Sequence, residues 1–98
     1  MPRITWSRGS IADLDRLARF LLERSPATAE RAVATIEEGC ELLRSHPDAG
    51  RLNDSKDSSR DWSIPFGSGS YIVRYQADPD QITIIAVRHS READFDRP

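Results

Sequence analysis

A chain of 98 residues has room for one core, since autonomous domains cluster near ~100–150 residues, and we read residues 1–98 as a single domain. Its 38% hydrophobic and 31% charged residues exclude the profile of a disordered chain, while a net charge of −2 and a pI near 5.6 exclude a surface that is basic throughout. A lone cysteine, Cys40, excludes an internal disulfide and a cysteine-built zinc site, and no run nears the ~18 apolar residues of a membrane helix.

The first ten residues, "MPRITWSRGS", lack the apolar centre of a signal peptide, so a cytoplasmic protein without membrane association is expected. "RITW" (3–6) alternates β-branched and aromatic residues and reads as a short strand. After the turn "SRGS", Ser10 is placed to cap a helix, with Asp13 in its positive first turn. In "IADLDRLARFLLERS" (11–25), Ile11, Leu14, Leu17, Ala18 and Leu21 recur at helical spacing, opposite Asp13, Arg16, Arg19 and Glu23.

Ser25 and Pro26 mark a stop and a restart, because proline disfavours helix in the residue before it and suits the first turn after it. The helix that follows buries a stripe of Ala29, Ala32, Val33, Ile36, Cys40 and Leu43, and ends at Pro47 and Gly50. So short a connection predicts an antiparallel helical hairpin. Gly39 in mid-helix is unexplained unless backbones approach closely there. Residues 48–61, "DAGRLNDSKDSSRD", carry almost nothing apolar and read as an exposed loop.

Three strands follow, "WSIPF" (62–66), "YIVRYQA" (71–77) and "ITIIAVRH" (82–89), joined by "GSGS" and "DPDQ" in an antiparallel meander. Trp62, Ile64 and Phe66 share one face, as do Tyr71, Val73 and Tyr75, which places both sets in the core; Ile72, Arg74 and Gln76 then face away, toward Arg60 or Arg88. The last strand is apolar on both faces, with Ile82, Ile84 and Ala86 opposing Ile85 and Val87, as a central strand requires. The order β-α-α-β-β-β is an α+β fold, a helical hairpin packed on a small, mostly antiparallel sheet.

The chemistry-bearing residues gather in "VRHSREADF" (87–95). His89 is a candidate general acid or base, and Arg88 and Arg91 would stabilise phosphate charge in a nuclease. The bland alternative is a charge network in which the arginines pair with Glu92, Asp94 or Glu41. No metal ligands stand at i, i+3 or i, i+4 spacing, Cys40 lies on an apolar stripe, and no cofactor is expected.

"SRGSIADLDRLARFLLERSPATAERAVATIEEGCELLRSHPDAGR", "RDWSIPFGSGSYIVRYQ" and "ITIIAVRHSREADF", in that order, resemble the ParE toxins of the RelE/ParE superfamily across nearly the whole chain, most specifically in "SHPDAGR" and "AVRHSREADF". The resemblance implies a toxin of a type II toxin–antitoxin system of the plasmid-stabilisation type. Such a toxin is neutralised in a hetero-oligomer with a ParD-like antitoxin and blocks replication by trapping DNA gyrase on cleaved DNA. That is inhibition by binding rather than turnover, without sequence-specific nucleic-acid binding by the toxin itself.

The RelE branch cuts mRNA on the ribosome with strand lysines, an arginine after the tyrosine of the next strand, a late arginine and a C-terminal tyrosine. Here "WSIPF" has no lysine, Ile72 follows Tyr71, His89 stands near the late arginine and Phe95 replaces the tyrosine. Ribosome-dependent mRNA cleavage stays as an alternative, since some nuclease relatives use histidine and a late phenylalanine; a non-toxic antitoxin-binding relative is the third. The expected target or partner surface is Arg60, Arg74, Arg88, His89, Arg91, Glu92 and Phe95, and the expected antitoxin groove is Leu17, Phe20, Leu21, Leu22 and Arg74.

Overall fold

A computed structural model describes residues 1–54 and 56–92. The chain runs β1 (Arg3–Trp6), α1 (Arg8–Leu22), α2 (Pro26–Ser45), β2 (Arg51–Leu52), β3 (Arg60–Phe66), β4 (Gly69–Ala77) and β5 (Gln81–His89). The five strands lie in the order β1-β5-β4-β3-β2, antiparallel except for the parallel β1–β5 pair, with the two helices packed on the sheet. The expected α+β fold and meander are therefore present. No helix among the described residues is long and apolar enough to cross a membrane.

The core lies between the helical hairpin and one sheet face, with Leu17 of α1 buried in it. Ala29, Ala32, Ile36, Cys40 and Leu43 of α2 are buried, against Ile64, Tyr71, Val73, Tyr75, Ile82, Ile84 and Val87 of the sheet. Gly39 marks where helix and sheet meet most closely. A Cβ there would lie 2.5 Å from Ile64 Cδ1, and the Gly39 carbonyl accepts a 3.0 Å hydrogen bond from Trp62 Nε1. Beyond α2 the chain is tied down by Tyr75, whose hydroxyl donates to Pro47 O (2.7 Å) and accepts from Gly50 N–H (2.9 Å). A Cβ on Gly50 would strike that ring at 2.7 Å, which explains the glycine in "SHPDAG".

Four expectations need correction. The cap of α1 is Ser7, not Ser10; Ser7 Oγ accepts from Ser10 N–H, so the helix starts earlier and Ile11 turns outward, 55% exposed. Asp13 accordingly lies beyond the first turn. Residues 48–61 are not wholly loop, since Arg51–Leu52 pairs with Arg60–Asp61 and Ser59 is fully buried.

The fourth concerns β5. The register shifts at Arg74/Tyr75, where Arg74 pairs with Ala86 but Tyr75 with Ile84, so Ile85 forms a bulge. A bulge adds one residue and reverses the alternation beyond it. Ile82, Ile84 and Val87 consequently all face the core, and Ala86 does not. The final turn of β5 is thereby re-aimed, so that His89 shares a face with Tyr71 while Arg88 pairs with Ile72 on the other.

Candidate functional site

Pairing of β1 with β5 ends at Trp6 and Ile84, and beyond it the start of α1 takes up backbone groups of β5. Ser7 Oγ donates to Ile85 O (3.0 Å), Asp13 Oδ2 accepts from Val87 N–H (2.9 Å), and Arg16 Nη2 reaches Val87 O (3.4 Å). Unsatisfied buried backbone groups are costly, so these side chains tie the start of α1 to β5. Sequence reasoning assigned Asp13 and Arg16 to the solvent face of an amphipathic helix and missed this role.

Beside the bulge, α1, the β3–β4 turn and the end of β5 enclose an open groove of about 680 Å³. Its apolar wall is Leu17, Phe20, Leu21, Phe66 and Tyr71, and its polar rim is Arg16, His89, Arg91 and Glu92 with the turn at Gly67, Ser68 and Gly69. Gly67 holds φ +60, as the first position of a two-residue II′ hairpin demands. At Gly69 an added Cβ would lie 3.0 Å from His89 Cε1 and Nε2, so the missing side chain is what admits the imidazole. His89 meets Tyr71 edge-on at 5.4 Å between centroids, and Tyr71 meets Phe66 at 5.7 Å. Burial, and secondarily the Glu92 carboxylate, raises the Tyr71 phenol above its ordinary pKa, keeping the wall neutral.

The rim is a closed network. Glu92 Oε1 accepts from His89 N–H (2.9 Å), Glu92 N–H donates to His89 O (3.0 Å), and Glu92 Oε2 pairs with Arg16 Nη1. Arg16 also faces Asp13 at 3.5 Å. His89 Nδ1 accepts from Arg91 N–H (3.1 Å), Arg91 Nη2 donates to Ser68 Oγ (3.1 Å), and Arg88 Nη1 bonds the carbonyls of His89 (3.2 Å) and Glu92 (3.3 Å). Residues 89–92 are thus a turn braced from both sheet faces.

Of the expected surface residues, His89, Arg91 and Glu92 meet at this rim, and Leu17, Phe20 and Leu21 line the same groove. Arg88 lies on the other sheet face, although its guanidinium reaches the turn. Arg60 is remote from the groove, and is bonded to Gly50 O (2.9 Å). Its register partner is Tyr75, so it does not share the face of Ile72, Arg74 and Gln76.

Arg74 cannot belong to the groove. It lies opposite Tyr75 in the alternation of β4, on the open face, in a two-point ion pair with Asp61 at 2.9 and 3.1 Å. Leu22 lies outside the groove as well, half-exposed at the end of α1. The pairing expected of Glu92 with Arg88 or Arg91 goes instead to Arg16, and Glu41 pairs with Arg44. Phe95 and Asp94 lie outside the described residues. Cys40 is buried at the core, where desolvation first and then Glu37 and Glu41 push its thiol up to about 12.

Comparison with known proteins agrees with this architecture. Residues 4–94 match the family described as "ParE toxin of type II toxin-antitoxin system, parDE". Toxin RelE3 of Caulobacter vibrioides is 38% identical over 82% of this chain and 85% of its own, and Toxin RelE1 of the same organism is 31% identical over 82% and 84%. A structure titled "Chromosomal ParDE TA system from P. aeruginosa" superposes with a TM-score of 0.72 over 91% of this chain and 96% of that one; at 22% identity it speaks to the fold.

Proposed function

The chain belongs to the ParE toxin family of type II toxin–antitoxin systems, and from that premise we propose that it arrests growth by binding DNA gyrase and is neutralised by an antitoxin seated in the α1 groove. The carrying observation is the alternation of β5, which puts Arg88 and His89 on opposite faces of the sheet. A phosphate-cleaving site needs its base and its cations converging on one phosphate, a term often worth several kcal/mol. Here His89 Nδ1 is engaged by the Arg91 backbone, and Arg16 is engaged by Glu92. On the open face, Ile72 stands after Tyr71, where the resemblance to the nuclease branch implies an arginine, and its cross-strand partner is the uncharged Ser63.

An apolar wall with a charged rim suits protein docking better than bond cleavage. The surface proposed for gyrase is the turn at residues 89–92, with His89, Arg91 and Glu92 offered to the target and Arg88 bracing them from behind. Leu17, Phe20 and Leu21 are proposed to take the apolar side chains of the antitoxin. Purified protein added to gyrase and relaxed plasmid is expected to block supercoiling and to leave cleaved DNA.

A second reading, ribosome-dependent mRNA cleavage, draws on His89 sharing the groove rim with Arg16 and Arg91 and on the RelE names of the relatives. It predicts transcripts cut at the ribosomal A site, with cutting abolished by His89→Ala. Intact mRNA during growth arrest would discard it.

A further inference from the structure

We infer that the segment received by the groove carries a carboxylate beside its apolar anchor, and that this carboxylate takes Arg16 from Glu92. The inference rests on the groove being the antitoxin site and adds the chemistry by which its occupant is recognised and the target surface is altered.

Charge complementarity selects the occupant. The chain carries −2 overall, yet the groove lining gathers the guanidinium groups of Arg16 and Arg91 against one acid, Glu92. Phe20 stands half-exposed at the far edge, with the Arg24 guanidinium 4.0 Å from its ring centroid, which adds a further cation there. The complement of an apolar wall rimmed by cations is an acidic segment with large apolar side chains. A volume of about 680 Å³ admits only a few such side chains, so the recognised stretch is short.

Arg16 is the cation best placed for exchange. Its side chain is 40% exposed and lines the groove directly, and its planar fork already divides between Glu92 and Asp13. An incoming carboxylate meets a guanidinium whose partner on the groove side, Glu92, is itself one-third exposed. Once Arg16 turns to the occupant, the guanidinium holding Glu92 Oε2 is gone, while Glu92 Oε1 is the acceptor of the His89 N–H. Filling the groove therefore loosens the turn at residues 89–92, which is the proposed target surface. Antitoxin and target then bind in mutual opposition, through the loosened turn as well as through the rim residues His89, Arg91 and Glu92 that both would meet, and linkage makes that opposition reciprocal.

The test is calorimetric titration of the full chain with its cognate antitoxin. Arg16→Gln is expected to weaken binding about tenfold, the scale of one lost charge-assisted contact. Glu92→Gln removes the competing acid and is expected to tighten binding by about threefold, as an exposed ion pair allows. Arg31→Gln, on the exposed side of α2, serves as a control. Leu21→Ser tests the groove itself. If Leu21→Ser weakens binding while Arg16→Gln and Glu92→Gln leave it unchanged, carboxylate exchange is wrong and the groove reading survives. If Leu21→Ser has no effect, both fall. Should Arg16→Gln melt markedly below the wild type, Arg16→Lys replaces it. That variant keeps the charge but loses the fork, and affinity equal to wild type would overturn the inference.

Discussion

Replacing Tyr75 with phenylalanine removes one oxygen from the centre of the molecule and leaves the ring in place. That oxygen serves two partners, Pro47 O at 2.7 Å and Gly50 N–H at 2.9 Å, on a side chain with no exposed surface. Gly50 is buried, so its stranded N–H carries the full penalty of an unmet donor, about 1–3 kcal/mol. Pro47 is only half-buried, and its carbonyl recovers part of its loss from water. Relief from burying the hydroxyl offsets some of the sum, leaving an expected destabilisation of about 2 kcal/mol. For a chain this size that corresponds to a fall in melting temperature of roughly 8–16 °C. Urea unfolding followed by circular dichroism measures it, and amide exchange at Gly50 should accelerate in parallel, because the connection from α2 to β2 is held by that hydroxyl. A loss below about 0.5 kcal/mol, the scale of an inconsequential surface change, would refute the reasoning that Tyr75 ties the "SHPDAG" segment to the sheet.

Two further outcomes follow from the core. Gly39→Ala drives a methyl group into Ile64 and is expected to cost about 1–3 kcal/mol, with Gly39→Ala/Ile64→Val recovering part of it in a double-mutant cycle; additive losses would contradict the contact. Cys40 and Tyr75 both have folded-state pKa values raised above their unfolded ones, chiefly by desolvation, so their contribution to stability is intact below the unfolded values and lost as pH rises through the folded ones. Stability should therefore decline from about pH 9 toward about 12, and Cys40 should resist a thiol reagent at pH 8 until the chain is unfolded; fast labelling of the native protein would contradict its burial.

Much of the fold was legible because its apolar residues alternate with polar ones. The buried stripe of α2 stands out against five intervening acids and bases, and Tyr71, Val73 and Tyr75 are separated by residues that face the other way. The same alternation already separates Arg74 from the groove and Arg88 from His89, so the expected site mixed two faces of one sheet. The bulge was invisible for the opposite reason. In "IIAV" every residue is apolar, and no polar residue marks where the phase slips.

The α1 boundary failed because Ser7 and Ser10 are equivalent capping residues in sequence. The choice is made by Ile85 O, which accepts a bond from Ser7 across 78 positions. Asp13 and Arg16 were hidden in the same way, since their partners Val87 and Glu92 are 74 and 76 positions away. Local pattern shows that a helix has a polar side; it does not show that this side is spent on a distant strand.

The central proposal is that the chain acts by occupying its target rather than by consuming it. Titrating purified protein against DNA gyrase held well above the dissociation constant separates the two. Binding predicts that supercoiling falls linearly and stops at a fixed molar ratio, with cleaved DNA accumulating in step and antitoxin reversing both. Undiminished supercoiling at excess toxin, together with loss of translation in an extract at toxin far below the ribosome concentration, would contradict it.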